Sequence, residues 1–316
     1  MTQRPRWDRE RIRRTLTFWL RPGFVLRVLS RFQRAAGFDR AIALASSAFT
    51  ALIPLAIVAG AILPSADAGD AAHRIIVRYG LTGGGAQAVK DVLSPAGGTS
   101  TDVSVLGVFL LVVAVLSFSR GVQRLFEQMW ELKPLSVRNT LNDLVWIGGL
   151  VGYIAFSWWI HDLAGGGRLQ VGANLVLTPA SAVFLAWSGW VLSARRIEWR
   201  SLVPFAILGA ALFALATIGS AVYVPHLFSS YASRYGVIGA VLAMISALFA
   251  VTVVLVASAA IGREVSEELG RIGRGERPPD DEVRREWDAM IHHARSRWRT
   301  LRGWIAHFRR PDRQRR

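Results

Sequence analysis

Residues 237–261 read VIGAVLAMISALFAVTVVLVASAAI, and these 25 residues contain no charged side chain. A helix rises about 1.5 Å per residue, so roughly 20 apolar residues cross the hydrocarbon layer of a membrane while the helix satisfies its own backbone. Thirteen of the 25 residues are Leu, Ile, Val or Phe, which favour insertion by roughly 4–8 kcal/mol in total. The stretch therefore predicts a membrane span rather than a buried helix of a large soluble protein.

The composition of the whole chain supports this interpretation. The 316 residues are 52% hydrophobic with a mean hydropathy of +0.32, yet they carry a formal charge of +16. Both properties hold together only if the charged residues are segregated from the apolar ones along the sequence. Five further apolar segments complete six predicted spans, at 41–63, 103–119, 144–160, 173–194, 201–224 and 237–261.

The basic residues predict the orientation of these spans. If both termini are cytoplasmic, 33 of the 38 Lys and Arg residues fall in cytoplasmic segments. Positively charged loops remain on the cytoplasmic side of bacterial membranes. We therefore expect an all-α, polytopic membrane protein with a transmembrane domain at 41–261 and both termini on the cytoplasmic side.

The two cytoplasmic flanks have an amphipathic pattern. Residues 1–40 interleave 11 Arg with aromatic residues, which favours a helix in the headgroup layer with its basic side chains pointing outward; a nucleic-acid-binding arm would share only the charge. In the tail, 262–316, the segment 280–310 has an apolar face at helical spacing and three Trp residues. It is predicted to lie on the membrane surface or to pair with a partner helix.

Two predictions concern the second span and the connection before it. The connection, 64–102, is polar and is expected to hold two short amphipathic helices near 70–80 and 86–93. Apolar residues at helical spacing extend the second span, so that one helix over 103–132 would be about 45 Å long. Such a helix must protrude from the bilayer or bend onto its surface.

The residues needed for several kinds of chemistry are absent or scattered. The chain has no Cys, its six His residues show no metal-ligand spacing, and no Gly-rich phosphate loop precedes a Lys-Ser or Lys-Thr pair. No metal, cofactor or catalytic residue is therefore predicted, and the chain is not expected to be an enzyme. Charged residues are also missing from the middle of the spans, which disfavours a proton-coupled pump. They gather at the inner edge instead, at Arg120, Arg124, Glu127, Asp143, Arg263 and Glu264.

Four short runs follow one another along the chain: ASSAFTALIP at 45–54, LSFSR before Trp130, YG followed by GA at 235–240, and the Gly262-x-Glu264 pair. In this order they resemble the YihY/BrkB family of bacterial envelope proteins. The resemblance covers about 30–270 and implies that Pro54, Trp130, Gly262 and Glu264 occupy the family's marker positions. Glu127 stands where the family often has Asn. The family's former label, ribonuclease BN, has no support here because the sequence offers no His/Asp metal cluster.

The resemblance implies a protein of the bacterial cytoplasmic (inner) membrane that serves envelope integrity and transports or flips an anionic (phospho)lipid. The alternative is a non-transporting membrane scaffold whose basic tails bind anionic lipid or a protein partner. We expect membrane lipids as partners and no nucleic acid, and a homo-oligomer is compatible with the sequence.

The first span is the predicted path for a lipid headgroup. Such a path needs polar groups that replace water without an isolated charge. Ser46, Ser47 and Thr50 supply hydroxyl groups, and Pro54 frees one carbonyl and permits a hinge. Arg120, at the inner end of the second span, would receive the anionic headgroup. The competing interpretation is that these hydroxyls bond within their own helix and that Pro54 only shapes packing.

Overall fold

The computed structural model describes residues 22–62, 101–135, 140–163 and 169–274, together with His73 and Asp288. All regular structure in these ranges is helical. The helices are α1 (Pro22–Arg34), α2 (Gly37–Ile62), α3 (Thr101–Met129), α4 (Thr140–Leu163), α5 (Leu169–Leu192) and α6 (Trp199–Arg274). The predicted helices at 70–80, 86–93 and 280–310 lie outside the described residues, apart from His73 and Asp288, which are helical.

The predicted spans coincide with these helices. Among the described residues of the six predicted spans, only Ser193 and Ala194, which follow the end of α5, are not helical. Four helical stretches of the described chain are long and apolar enough to cross a membrane: Val105–Met129, Thr140–Leu163, Trp199–Ser220 and Val241–Arg274. Val176–Leu192 is apolar but shorter. The chain is thus an all-α, polytopic membrane protein, while the count of six spans stays a prediction.

Helix α6 carries both the fifth and the sixth predicted span. Its 76 residues would extend for about 114 Å if the helix were straight. A methyl group at Gly262, however, would lie 2.3 Å from Phe205 Cα, and one at Gly209 would lie 3.5 Å from Ser258 Cβ. These contacts require the helical chain to double back between Gly209 and Ser258.

The reversal was predicted, but its backbone conformation was not. Residues 225–236, expected as a turn between two spans, are helical. Pro225 lies in this range, and a proline ring removes one helical hydrogen bond and bends the axis. The chain therefore changes direction here while its backbone stays locally helical. A sequence pattern alone does not distinguish such a bent helix from a loop.

Helix α3 runs without a break through the second span and beyond it, as predicted. It has 29 residues, which correspond to about 44 Å. It ends at Met129, three residues before the predicted end, because Glu131 adopts a left-handed conformation with φ of 54°. The amide of Leu132 donates to the Glu127 carbonyl at 2.7 Å, which completes a Schellman-type C-cap.

The chain divides into two compact units: a terminal unit of Met1–Arg34 with Glu268–Arg316, and a membrane unit, Ala35–Glu267. In the terminal unit Arg27 Nη2 donates to Glu268 Oε2 at 2.9 Å, and both side chains are 5% exposed. Arg31 is buried as well, whereas Val25 and Leu29 are exposed. The predicted outward orientation of the basic side chains is therefore wrong for these two arginines, since the buried Glu268 carboxylate provides a counter-charge for Arg27.

In the membrane unit the two parts of α3 have different surroundings. Large apolar side chains of its first part are exposed, as lipid-facing residues would be, at Val105, Leu106, Val108, Phe109, Leu110, Val112 and Val113. Its last part is the core of the unit, with Leu125, Phe126 and Met129 almost completely buried. The inner end of the bundle, meaning the end predicted to face the cytoplasm, is thus the tightly packed one.

Candidate functional site

Glu127 is the centre of the polar contacts at the inner end. Its side chain lies near the end of α3 and the residue is 3% exposed. One carboxylate oxygen, Oε1, accepts hydrogen bonds from Gln123 Nε2 at 2.9 Å, from the Leu135 amide at 2.8 Å and from Arg196 Nη2 at 3.2 Å. These three donors, of which Arg196 is cationic, compensate the loss of water around the buried carboxylate.

Arg196 connects the ends of two helices through the same centre. Besides Glu127 it donates to the Lys133 carbonyl at 2.6 Å and to the Ser193 carbonyl at 3.0 Å. Ala194 and Arg195 have positive φ angles of 53° and 63°, so the chain turns sharply after α5 and places Arg196 beside the end of α3. Arg196 therefore holds two helix ends together, although the sequence places it only between two predicted spans, 173–194 and 201–224.

Asp143 forms a second buried acidic position. It lies in the first turn of α4, is 1% exposed and accepts a hydrogen bond from Ser119 Oγ at 2.9 Å. Arg120 Nε lies 3.9 Å from Asp143 Oδ2, and the Arg120 side chain is 43% exposed. At that distance the contact is a loose ion pair and not a hydrogen bond. Arg120, predicted to receive an anionic headgroup, is therefore partly compensated by Asp143.

Polar groups continue from Asp143 along one face of α4. Trp146 Nε1 donates to Ser188 Oγ at 2.9 Å, and the Tyr153 hydroxyl lies 2.6 Å from Ser181 Oγ. Ser181 already donates to the Leu177 carbonyl at 2.7 Å, so Tyr153 is the donor of the shared bond because a hydroxyl has only one hydrogen. We call Asp143, Trp146, Tyr153, Ser181 and Ser188 the α4 seam.

The α4 seam has one further polar neighbour at the outer end of the helix. His161 Nδ1 lies 2.7 Å from the Ser157 carbonyl, and both residues are half-buried. The spacing of 143, 146, 153, 157 and 161 keeps all five on one face of a helix. From Asp143 to His161 the helix advances by 18 residue steps, or about 27 Å, close to the thickness of the hydrocarbon layer.

The predicted hydroxyl path on α2 has a different environment. Ser47 Oγ donates to the Leu44 carbonyl at 2.9 Å, and Thr50 Oγ1 donates to the Ser46 carbonyl at 2.9 Å. Both bonds lie within one helix, and Ser46 and Thr50 are exposed while Pro54 is buried inside the continuous helix. The structure therefore matches the competing interpretation for Ser47 and Thr50, whose hydroxyls are satisfied locally.

Trp130 and Gly262, two of the marker residues, meet at a residue that the sequence did not single out. The Trp130 ring packs edge-on against Phe205 with centroids 6.0 Å apart, and Phe126 joins both rings. Gly262 lies against the Phe205 backbone so closely that no side chain fits. Glu264, the last marker, is 2% exposed. Trp130 and Gly262 are thus buried packing positions, and Phe205 is the contact that connects these two.

The sequence located part of this site. Arg120, Glu127, Asp143 and Glu264 were recognised as ionisable residues at the inner edge, which is where charged groups near a span usually have a role. Ser188, Ser181 and Phe205 gave no separate signal, because their partners come from other helices. Among the described residues, no group of three His, Asp or Glu side chains lies close enough to hold a metal ion.

Comparison with known proteins agrees with the helical membrane fold. The family model described as "Virulence factor BrkB" matches residues 28–283. A "UPF0761 membrane protein" of Coxiella burnetii (strain Dugway 5J108-111) is 26% identical over 243 residues, covering 71% of this chain and 86% of the relative. A protein of the same name from Stenotrophomonas maltophilia (strain R551-3) is 25% identical, covering 64% of this chain and 51% of the relative.

No solved structure matches the chain. The family model covers most of the sequence, including every span and all the marker residues, and the relatives are named as membrane proteins. The chain therefore belongs to the BrkB family of multi-pass membrane proteins.

Proposed function

We propose that this protein moves an anionic phospholipid between the leaflets of the bacterial cytoplasmic membrane and so supports the integrity of the envelope. The observation that carries the proposal is the α4 seam, a line of polar groups that follows one helix through the depth of the membrane unit. Its members reach from the buried Asp143 to Tyr153 and Ser181, and His161 lies at the far end of the same face.

A headgroup that crosses the hydrocarbon layer needs hydrogen-bonding partners at each depth. Leaving a polar group without a partner in an apolar medium costs about 2–7 kcal/mol, and a bare charge costs more. Hydroxyl, indole and imidazole groups can exchange their present partners for phosphate oxygens without adding a charge at mid-depth. Tyr153 and Ser181 are half-buried, which supports access to them from the lipid side of the bundle.

A second candidate is a non-transporting scaffold that binds anionic lipid or a protein partner. The observation that favours it is that the Ser47 and Thr50 hydroxyls of α2 bond within that helix, while the Trp146 indole already donates to Ser188 Oγ. Mutually satisfied groups stabilise a fixed bundle. Under either candidate we expect no enzymatic activity and no cofactor, and the expected partners are membrane lipids or, for the scaffold, a protein, but not nucleic acid.

A transport assay separates the two candidates. Purified full-length protein is reconstituted into liposomes that contain fluorescently labelled phosphatidylglycerol, and a membrane-impermeant quencher reports how fast inner-leaflet label reaches the outside. We expect faster loss of inner-leaflet label than in empty liposomes, and a smaller effect with labelled phosphatidylcholine. Equal rates in protein-containing and empty liposomes would reject lipid movement in favour of the scaffold.

A further inference from the structure

A pair of arginines lies at the inner ends of α2 and α3. A methyl group at Gly121 of α3 would lie 2.8 Å from Leu44 Cδ2 of α2, so the two helices approach closely at this level. Arg40 precedes Leu44 by one turn, and Arg124 follows Gly121 by about one turn. In the predicted topology consecutive spans run antiparallel, which puts both arginines on the same, inner side of this contact.

The two side chains are close enough to affect each other's charge. Burial, and then repulsion from Arg124, lowers the pKa of Arg40, which lies one residue before the first predicted span. Two neighbouring positive charges repel each other, which is unfavourable unless a counter-charge accompanies them. The fold nevertheless keeps both arginines here.

No carboxylate in the described part of the chain forms an ion pair with either arginine. Arg40 Nε donates to the Ala35 carbonyl at 3.2 Å, which leaves the other guanidinium nitrogens available. Arg124 is exposed. The nearby basic residues differ in this respect, because Arg120 is paired with Asp143 and Arg196 with Glu127. Of these four arginines, Arg40 and Arg124 are the two that retain uncompensated positive charge.

We propose that Arg40 and Arg124 together bind the phosphate group of an anionic phospholipid in the inner leaflet. A guanidinium group presents donors in a planar fork that matches phosphate oxygens, and two forks from neighbouring helices hold one phosphate between them. The anion relieves the repulsion between the arginines, and their place just beyond the apolar part of α2 corresponds to the depth of a headgroup. This site would hold the lipid before transport. Its role in transport rests on the proposed function, whereas the binding of lipid by the two arginines does not.

Lipid retention by the full-length protein tests the site. Detergent-solubilised wild type and the double variant Arg40→Gln/Arg124→Gln are incubated with phosphatidylglycerol or phosphatidylcholine, and bound lipid is counted by native mass spectrometry. We expect wild type to retain phosphatidylglycerol selectively and the double variant to lose about tenfold or more in affinity, since each basic residue near a lipid headgroup contributes roughly 1 kcal/mol.

Two further variants keep the test interpretable. Arg200→Gln removes an exposed arginine at the same predicted edge and should leave retention within about twofold of wild type. Arg40→Lys/Arg124→Lys keeps both charges and should restore part of the affinity if the fold is intact. Equal loss in Arg200→Gln and the double variant would overturn the site in favour of nonspecific charge attraction, as would full retention by the double variant.

Competition with inorganic phosphate identifies the source of the phosphate group. Retention of phosphatidylglycerol that millimolar inorganic phosphate does not displace supports the lipid as ligand. Displacement at that concentration would overturn the lipid proposal and assign the arginines to a free anion. A wild type that binds phosphatidylglycerol selectively but fails to move it in liposomes would reject the transport function and leave this binding site standing.

Discussion

The hydroxyl groups of α2 and the polar groups of α4 lie in similarly apolar helices, but they bond to different partners. Ser47 and Thr50 donate to carbonyls of their own helix. Asp143, Trp146 and Tyr153 form their hydrogen bonds with side chains of α3 and α5. A polar group bonded between helices fixes their packing and leaves an unsatisfied partner when it is removed, whereas a hydroxyl bonded to its own helix does neither.

The largest expected effect comes from blocking the close approach that makes contacts between helices possible. Gly262→Leu places side-chain atoms where the Phe205 backbone lies, 2.3 Å from its Cα, and backbone atoms cannot move aside cheaply. We expect loss of the folded monodisperse protein on size-exclusion chromatography. Gly219→Leu is the control, because nothing lies within 4 Å of the added carbon; equal behaviour of the two variants would contradict the close packing.

The next effect concerns the buried carboxylate that joins the ends of α3 and α5. Glu127→Ala removes the acceptor that Arg196, Gln123 and the Leu135 amide share. Removing one partner of a buried ion pair costs about 3–5 kcal/mol. Because the Arg196 side chain is 28% exposed, we expect the lower part of that range, measured by SDS-induced unfolding. A loss below about 1 kcal/mol would show that this contact does not hold the two helix ends together.

A smaller effect is expected within the α4 seam. Ser188→Ala removes the acceptor of the buried Trp146 indole and should lower the free energy of unfolding by about 1–2 kcal/mol. The matched control is Ser117→Ala, because that hydroxyl is exposed and bonds to the Val113 carbonyl of its own helix. Similar values for the two serines in the same unfolding assay would remove the distinction between α4 and the local hydroxyls.

The smallest effect belongs to α2. Ser47→Ala/Thr50→Val removes only bonds inside that helix, so the free energy of unfolding should change by less than about 0.5 kcal/mol. A destabilisation above about 2 kcal/mol in the same assay would mean that these hydroxyls bond to another helix in the membrane.

The same contrast shows which features a sequence can predict. The uncharged run at 237–261 and the continuous helical pattern over α3 predict their elements because hydrophobic length and periodicity are local properties. The bonds of Trp146 and Arg196 depend on which helices become neighbours, and local spacing contains no such information. Gly262 was found only through the resemblance, and its reason, the Phe205 backbone, lies 57 residues away in the chain.

We propose that the α4 seam, and not the hydroxyl groups of α2, forms the path of the headgroup. Measuring lipid movement in two matched variants tests this proposal most directly. Tyr153→Phe/Ser181→Ala and Ser47→Ala/Thr50→Val are each reconstituted at the same protein density, and the rate at which labelled phosphatidylglycerol changes leaflet is compared with wild type and empty liposomes. We expect the α4 variant to be slower by about tenfold or more, because a headgroup left without a hydrogen-bonding partner at mid-depth costs more than about 1.4 kcal/mol. The α2 variant should stay within about twofold of the wild-type rate. The reverse order, with the α2 variant slowed and the α4 variant unchanged, would contradict the proposal.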